Sequence, residues 1–208
     1  MFRELFDEVI LVTSVHPEMV DFVPRQGRTK VFTAGVAGAT SRIETCGERS
    51  IGAKDAVSGR TLNGPLQYLE WDLKIVTDLY PVRSSLVGIH AGLFYASHPH
   101  AFVAACDIPF LKKELVEILL GELEPRWDII LPVTSDGHQP LCAVYSKRCI
   151  KQIEAQIKQE EFKIADLFQK VRVKEVPESS LKSADPDLVS FFNINTQKDL
   201  AAAEQMNA

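Results

Sequence analysis

Val103-Ala104-Ala105-Cys106-Asp107-Ile108-Pro109-Phe110 runs small and apolar residues straight into one acid, with a proline two positions later. An apolar run of this kind reads as a strand covered on both faces. Proline cannot continue a ladder, so the strand should end near Asp107. The carboxylate then stands at the carboxyl end of a central parallel strand, which is where open α/β sheets bind ligands. With no basic residue next to it in the sequence, it needs solvent, a donor or a metal ion. A hard dication such as Mg²⁺, itself holding substrate phosphates, suits one or two such acids.

Working outward, the flanking sequence alternates strand-like and helix-like segments. Glu8–Thr13 and Asp72–Thr77 read as strands, Leu86–Ser97 as a helix and Ala101–Cys106 as the central strand. Lys112–Leu120 carries Leu115, Ile118 and Leu119 at helical spacing. Asp128–Val133 and Leu141–Tyr145 are strands joined by a polar turn at Asp136-Gly137, a candidate antiparallel element. Lys147–Lys158 and Glu161–Lys170 read as helices, Val171–Val176 as a strand and Gln197–Gln205 as a closing helix. This alternation predicts an α/β fold with a mainly parallel sheet and crossover helices.

At 208 residues the chain is long enough for one sizeable domain. Its net charge of −5 excludes a bulk basic surface for nucleic acid. The apolar runs are too short to span a bilayer, and no secretory signal opens at Met1. Cys46, Cys106, Cys142 and Cys149 form no CxxC pair. Cys106 and Cys142 sit in apolar runs, so they are expected as small core residues in a reducing cytoplasm.

Pro24–Gly64 stands apart. It holds 7 of the 11 glycines, and seven Lys/Arg against three acids give it a net charge of +4, leaving −9 for the rest. It shows no sustained period, and a structureless stretch of this length inside a compact domain is unusual. A basic loop, a degenerate remnant or inserted sequence would each account for it, and its cations are ordinarily solvated charge.

Three further groups carry chemistry. Asp78 follows Lys74-Ile75-Val76-Thr77 as a second carboxylate at a strand end, although Asp also favours turns for its own hydrogen bonds. Ser84-Ser85-Leu86-Val87-Gly88 opens a helix with small residues, whose N–H groups and dipole suit an anion. Phe192-Asn193-Ile194-Asn195-Thr196 places two amides on one face of an extended segment, with Thr196 able to cap the last helix. Those Asn residues could equally satisfy backbone groups. His90 reads as a packing or helix-surface residue, and His138 as a turn residue that could face a ligand.

The blocks LFDEVILVT, WDLKIVTDLYPVRSSLVGIHAGL, AFVAACDIPFL, PLCAVYSKRC and FFNINTQKDL, in this order, resemble the molybdenum cofactor guanylyltransferase family. The resemblance covers Leu5–Thr13 and roughly Leu66 to Met206. It implies a Rossmann-like nucleotidyltransferase, a three-layer sandwich. It implies transfer of GMP from Mg·GTP to a molybdopterin-type cofactor, with release of pyrophosphate. Carried over by position, Asp107 would hold Mg²⁺ and the GTP phosphates and would be the catalytic residue. Asp78 would help bind GTP, and Gly88 would keep the chain close to the nucleotide. Asn193 and Asn195 would line the acceptor side. GTP and molybdopterin are the implied partners. Molybdoenzyme apo-proteins or other cofactor-assembly proteins are further ones it admits.

The sequence departs from this family in two places. The family opens with a strand and a glycine-rich phosphate loop. Here Met1 falls inside the helix expected after that loop, so the usual first strand and loop are lacking. The family also has an Asn beyond the strand that ends at Thr13. If Ser14–Leu62 is an insertion or flexible segment within a single domain of residues 1–208, then Asn63 is that nucleotide-binding Asn. Ala34–Arg42 faintly echoes the missing loop, but no strand is legible before it. The rival readings are a cytidylyl- or sugar-nucleotidyltransferase, and a catalytically inactive molybdopterin-binding relic.

Overall fold

The computed structural model describes residues 5–13, the backbone of 31–36, and 74–206. Among the described residues, eight strands form one sheet: β1 (Glu8–Thr13), β2 (Val31–Val36), β3 (Lys74–Thr77), β4 (His100–Ala105), β5 (Ile129–Thr134), β6 (Gly137–His138), β7 (Cys142–Ser146) and β8 (Val173–Pro177). The helices are α1 (Ser85–Tyr95), α2 (Lys113–Gly121), α3 (Ile150–Lys158), α4 (Ile164–Phe168), α5 (Glu178–Leu181) and α6 (Gln197–Met206). Short 3₁₀ turns cover Lys147–Cys149 and Val189–Phe191.

The strand order is β3-β1-β2-β4-β7-β5-β6, with β8 on the other edge of β5. The sheet is mixed. β1 pairs parallel with β3, and β5 with β8, while the other five pairings are antiparallel. Five strands, β1, β3, β4, β5 and β8, nevertheless share one direction. Both neighbours of β4, β2 and β7, run against it. The α/β class therefore stands, but β4 is not parallel to its immediate neighbours.

The cause lies in β2. Val31-Phe32-Thr33 favours an extended chain, and Val31–Val36 occupies the slot between β1 and β4. Part of the segment read as an insertion thus supplies a central strand, which corrects the expectation that no strand precedes the Ala34–Arg42 echo. Gly35 and the surrounding glycines hid it. Because β2 is antiparallel, its carboxyl end pairs with His100, at the start of β4, far from the end that leads to Asp107. The described part of that echo therefore lies at the wrong end of the sheet for a phosphate loop.

Period-two alternation builds a core on each face. Ala101, Val103, Ile129, Leu131, Ala143 and Tyr145 point to one face, where α1, α3 and α4 pack. Phe102, Ala104, Ile130, Cys142 and Val144 point to the other, which is covered by α2 and α5. Phe6 stacks on Phe102 there at 5.9 Å between ring centroids. α1 is apolar all round and buried from Leu86 to Leu93, as a helix enclosed between the sheet and α3 must be. α3 buries only the Ile153 and Ile157 side, with Gln156 between them. At the tight turn after β5, Gly137 adopts φ +106, a conformation open to glycine. Among the described residues, no helix is long and apolar enough to cross a membrane.

Candidate active site

Two carboxylates stand at the same end of the sheet. Val76, Val12, Val31 and Ala105 form one row across β3, β1, β2 and β4. Asp78 and Asp107 each lie two residues past that row. The Asp78 N–H also donates to the Thr13 carbonyl at 3.1 Å, tying this exit to β1. Three strand spacings separate β3 from β4, about 14 Å. Two oxygens on one Mg²⁺ lie only about 4 Å apart, or less. The two acids therefore do not share an ion.

Each acid has a buried oxygen, Oδ1, without a hydrogen-bond partner. Burying such an atom is costly unless a ligand completes it. Burial raises the Asp78 carboxyl, and nearby Arg83 only partly offsets this, leaving it at about 6. No group of three potential metal ligands exists among the described residues. That donor set fits Mg²⁺, which keeps several waters and takes one or two carboxylates plus substrate phosphates. Asp107, with its unpartnered buried oxygen, is the candidate to hold it.

Ser84 caps α1, its Oγ accepting from the Val87 N–H at 3.1 Å. The Gly88 N–H donates to the Ser84 carbonyl at 3.1 Å. Gly88 therefore lies within the first helical turn, with its amide already engaged. The Ser85 and Leu86 amides are the ones left at this helix start for an anion.

The C-terminal segment is fastened beside Asp107. The Ile194 N–H donates to the Asp107 carbonyl at 2.8 Å. Ile194 is half-buried, while Asn193 and Asn195 on either side are exposed. Thr196 and Asp199 then close a reciprocal cap on α6. The Asp199 N–H donates to Thr196 Oγ1 at 3.2 Å, and Asp199 Oδ2 accepts from Thr196 N–H at 2.7 Å and Asn195 N–H at 3.0 Å. Asp107, Asn193 and Asn195 are thus brought together, and Asp78 lies across the sheet end. Asn63 lies outside the described residues.

Other residues fall as follows. His138 pairs with Glu175 at 2.8 Å and packs edge-on against Phe168. His90 is buried, packed between Tyr80 and Phe94, with Nε2 3.4 Å from Glu154. Cys142 is buried, and burial pushes its thiol up to about 12. Cys106, expected in the core, is exposed because the strand ends at Ala105 and the chain turns there. Sequence reasoning missed Asp185, Lys112 and Ser190, which lie against the Asp107 loop. A buried acid with a partner far away in the chain leaves no local pattern.

The family model described as MobA-like NTP transferase domain matches residues 1–175. The chain is 47% identical to a molybdenum cofactor guanylyltransferase of Desulfosudis oleivorans over 68% of this chain and 70% of that protein. It is 40% identical to a probable molybdenum cofactor guanylyltransferase of Natranaerobius thermophilus, over 66% of this chain and 69% of the relative. The crystal structure of molybdopterin-guanine dinucleotide biosynthesis protein A from Archaeoglobus fulgidus superposes with a TM-score of 0.61 at 33% identity, covering 68% of this chain and 72% of that one. The chain belongs to the family of MobA-like NTP transferase domains.

Proposed function

We propose that the protein is a molybdenum cofactor guanylyltransferase, transferring GMP from GTP to a molybdopterin-type cofactor. One observation carries this reading: Asp107, with an unsatisfied buried oxygen, is joined through its own carbonyl to the Asn193–Asn195 segment. On this reading Asp107 is the nucleotide-side carboxylate and Asn193 and Asn195 are the acceptor-side amides, and the bond between the two segments supports their acting together.

The chemistry asks little of the protein beyond positioning and charge neutralisation. A phosphate oxygen of the acceptor attacks the α-phosphorus of GTP. The bond to the bridging oxygen breaks, and pyrophosphate leaves with the electron pair. The acceptor phosphate is already ionised near neutral pH, so no protein base is needed. Mg²⁺, when bound, offsets the charge on the phosphates. Asp107 would hold that ion, and the Ser85 and Leu86 amides offer donors to an anion at the start of α1. Asp78 would contact the nucleotide on the β3 side, and Gly88 would keep the first turn of α1 close. Asn63 would contact the nucleotide, and Asn193 and Asn195 would orient the acceptor.

Calorimetric titration with GTP, with and without Mg²⁺, and with CTP in parallel tests this reading. Mg²⁺-dependent binding that prefers GTP is expected. Equal or tighter binding of CTP would move the chain to another nucleotidyltransferase class. A folded protein that binds neither nucleotide would leave a non-catalytic cofactor binder.

A further inference from the structure

The loop after β4 and the segment before α6 are held together by more than the Ile194–Asp107 bond. Asp185 is fully buried, and its Oδ1 lies 2.8 Å from Lys112 Nζ, close in distance though not aligned as a hydrogen bond. Its other oxygen accepts from the Ser190 N–H at 2.8 Å. Ser190 is also buried, and its Oγ accepts from the Lys112 N–H at 3.0 Å. Phe110 and Phe192 lie 6.0 Å apart, one from each segment.

We propose that Asp185, Lys112 and Ser190 form a positioning clamp that sets Asn193 and Asn195 against Asp107, and so fixes the acceptor relative to the nucleotide. The proposal rests on the reading above for its catalytic consequence, though not for its geometry. The physical argument is one of register. Asn193 and Asn195 are exposed and make few contacts of their own, so what holds their backbone decides where their amides point. A buried carboxylate that answers both a lysine and a backbone N–H is a stiff joint, because loosening it leaves a charge without partners. It ties the residues just after Asp107 to the residues just before Asn193. Asp185 and Ser190 are buried and Lys112 Nζ is turned to Asp185, so the three are assigned as positioning residues.

Lys112→Met removes the cation, and Lys112→Arg restores it at a site with room at the surface. The first readout is amide hydrogen exchange, compared with the wild-type chain. The clamp predicts faster exchange at Ile194 and its neighbours in Lys112→Met, with α1 and β5 unchanged and protection recovered in Lys112→Arg. The second readout is kinetic: the KM for molybdopterin should rise about tenfold, the loss of one close ion pair to a buried carboxylate, while the KM for GTP stays the same. If Lys112→Met does not fold, Ser190→Ala removes the bond accepted from the Lys112 N–H and the long 3.5 Å bond donated to the Phe110 carbonyl, but no charge, and carries the same comparison. Unchanged exchange at Ile194, or a uniform increase across the sheet, overturns the clamp. Failure of the wild-type chain to transfer GMP would overturn the functional reading instead, and leave the exchange result standing on its own.

Discussion

Removing the charge of Asp78 should make the protein more stable and a poorer nucleotide binder. Its Oδ1 is buried without a partner, and burial lifts the carboxyl from 3.8 to about 6. A carboxyl raised in the folded state favours the neutral form. The stability this adds is fully present below 3.8 and is lost as the pH rises through about 6. At pH 7.5 the folded protein therefore carries an ionised acid that the fold itself disfavours. The full displacement is worth about 3 kcal/mol, and solvent reaching this half-exposed group reduces that to roughly 1 kcal/mol. Asp78→Asn keeps the shape and removes the charge. It should raise the melting temperature by about 2–4 °C at pH 7.5. At about pH 3, below both values, wild-type Asp78 is neutral in the folded and the unfolded chain alike, and the difference should shrink towards zero. Thermal unfolding followed by circular dichroism at the two pH values measures both. GTP affinity should fall in the same variant, as expected where a site keeps strain that folding alone would remove. A variant that melts at or below the wild-type temperature at pH 7.5, or a gain that persists undiminished at about pH 3, would refute the reasoning.

Asp128 is the opposite case. Burial raises its carboxyl, but hydrogen bonds from Arg172 and from Arg148, the latter at 2.6 Å, outweigh that and hold it at about 2. The stability it contributes is present above 3.8 and is lost as the pH falls through about 2. Asp128→Asn should cost about 2 kcal/mol at pH 7 in urea unfolding, and less at pH 3. Tyr145 is fully buried and its hydroxyl donates to the Pro140 carbonyl at 2.8 Å. Tyr145→Phe leaves that carbonyl without this donor and should cost about 1–2 kcal/mol, read by the same assay.

Some of this molecule is legible in its sequence, for identifiable reasons. β4 and α1 announce themselves because both are buried all round, so apolar residues run unbroken from Ala101 to Ala105 and from Leu86 to Ile89. Asp107 is legible because Pro109 stops the strand beside it. β2 is not, since Thr33 and Gly35 interrupt its apolar pattern within a glycine-rich stretch. Its antiparallel placement depends on β1 and β4, partners far away in the chain, and no local pattern encodes that. The Asn193–Asn195 alternation shows in the sequence, but its attachment to Asp107 does not. The Asp185–Lys112 pair joins two loops brought close only by the completed sheet. The pKa of Asp78 likewise follows from what the fold places over it.

The most direct test of the account is GMP transfer itself. Purified protein would be incubated with Mg²⁺, molybdopterin and GTP labelled at the α-phosphate, beside Asp107→Asn and a parallel reaction with labelled CTP. The account predicts a labelled dinucleotide and pyrophosphate from GTP, little from CTP, and a loss of about 10²–10³-fold in rate for Asp107→Asn. A wild-type rate equal to that of Asp107→Asn, from protein shown to be folded, would contradict it.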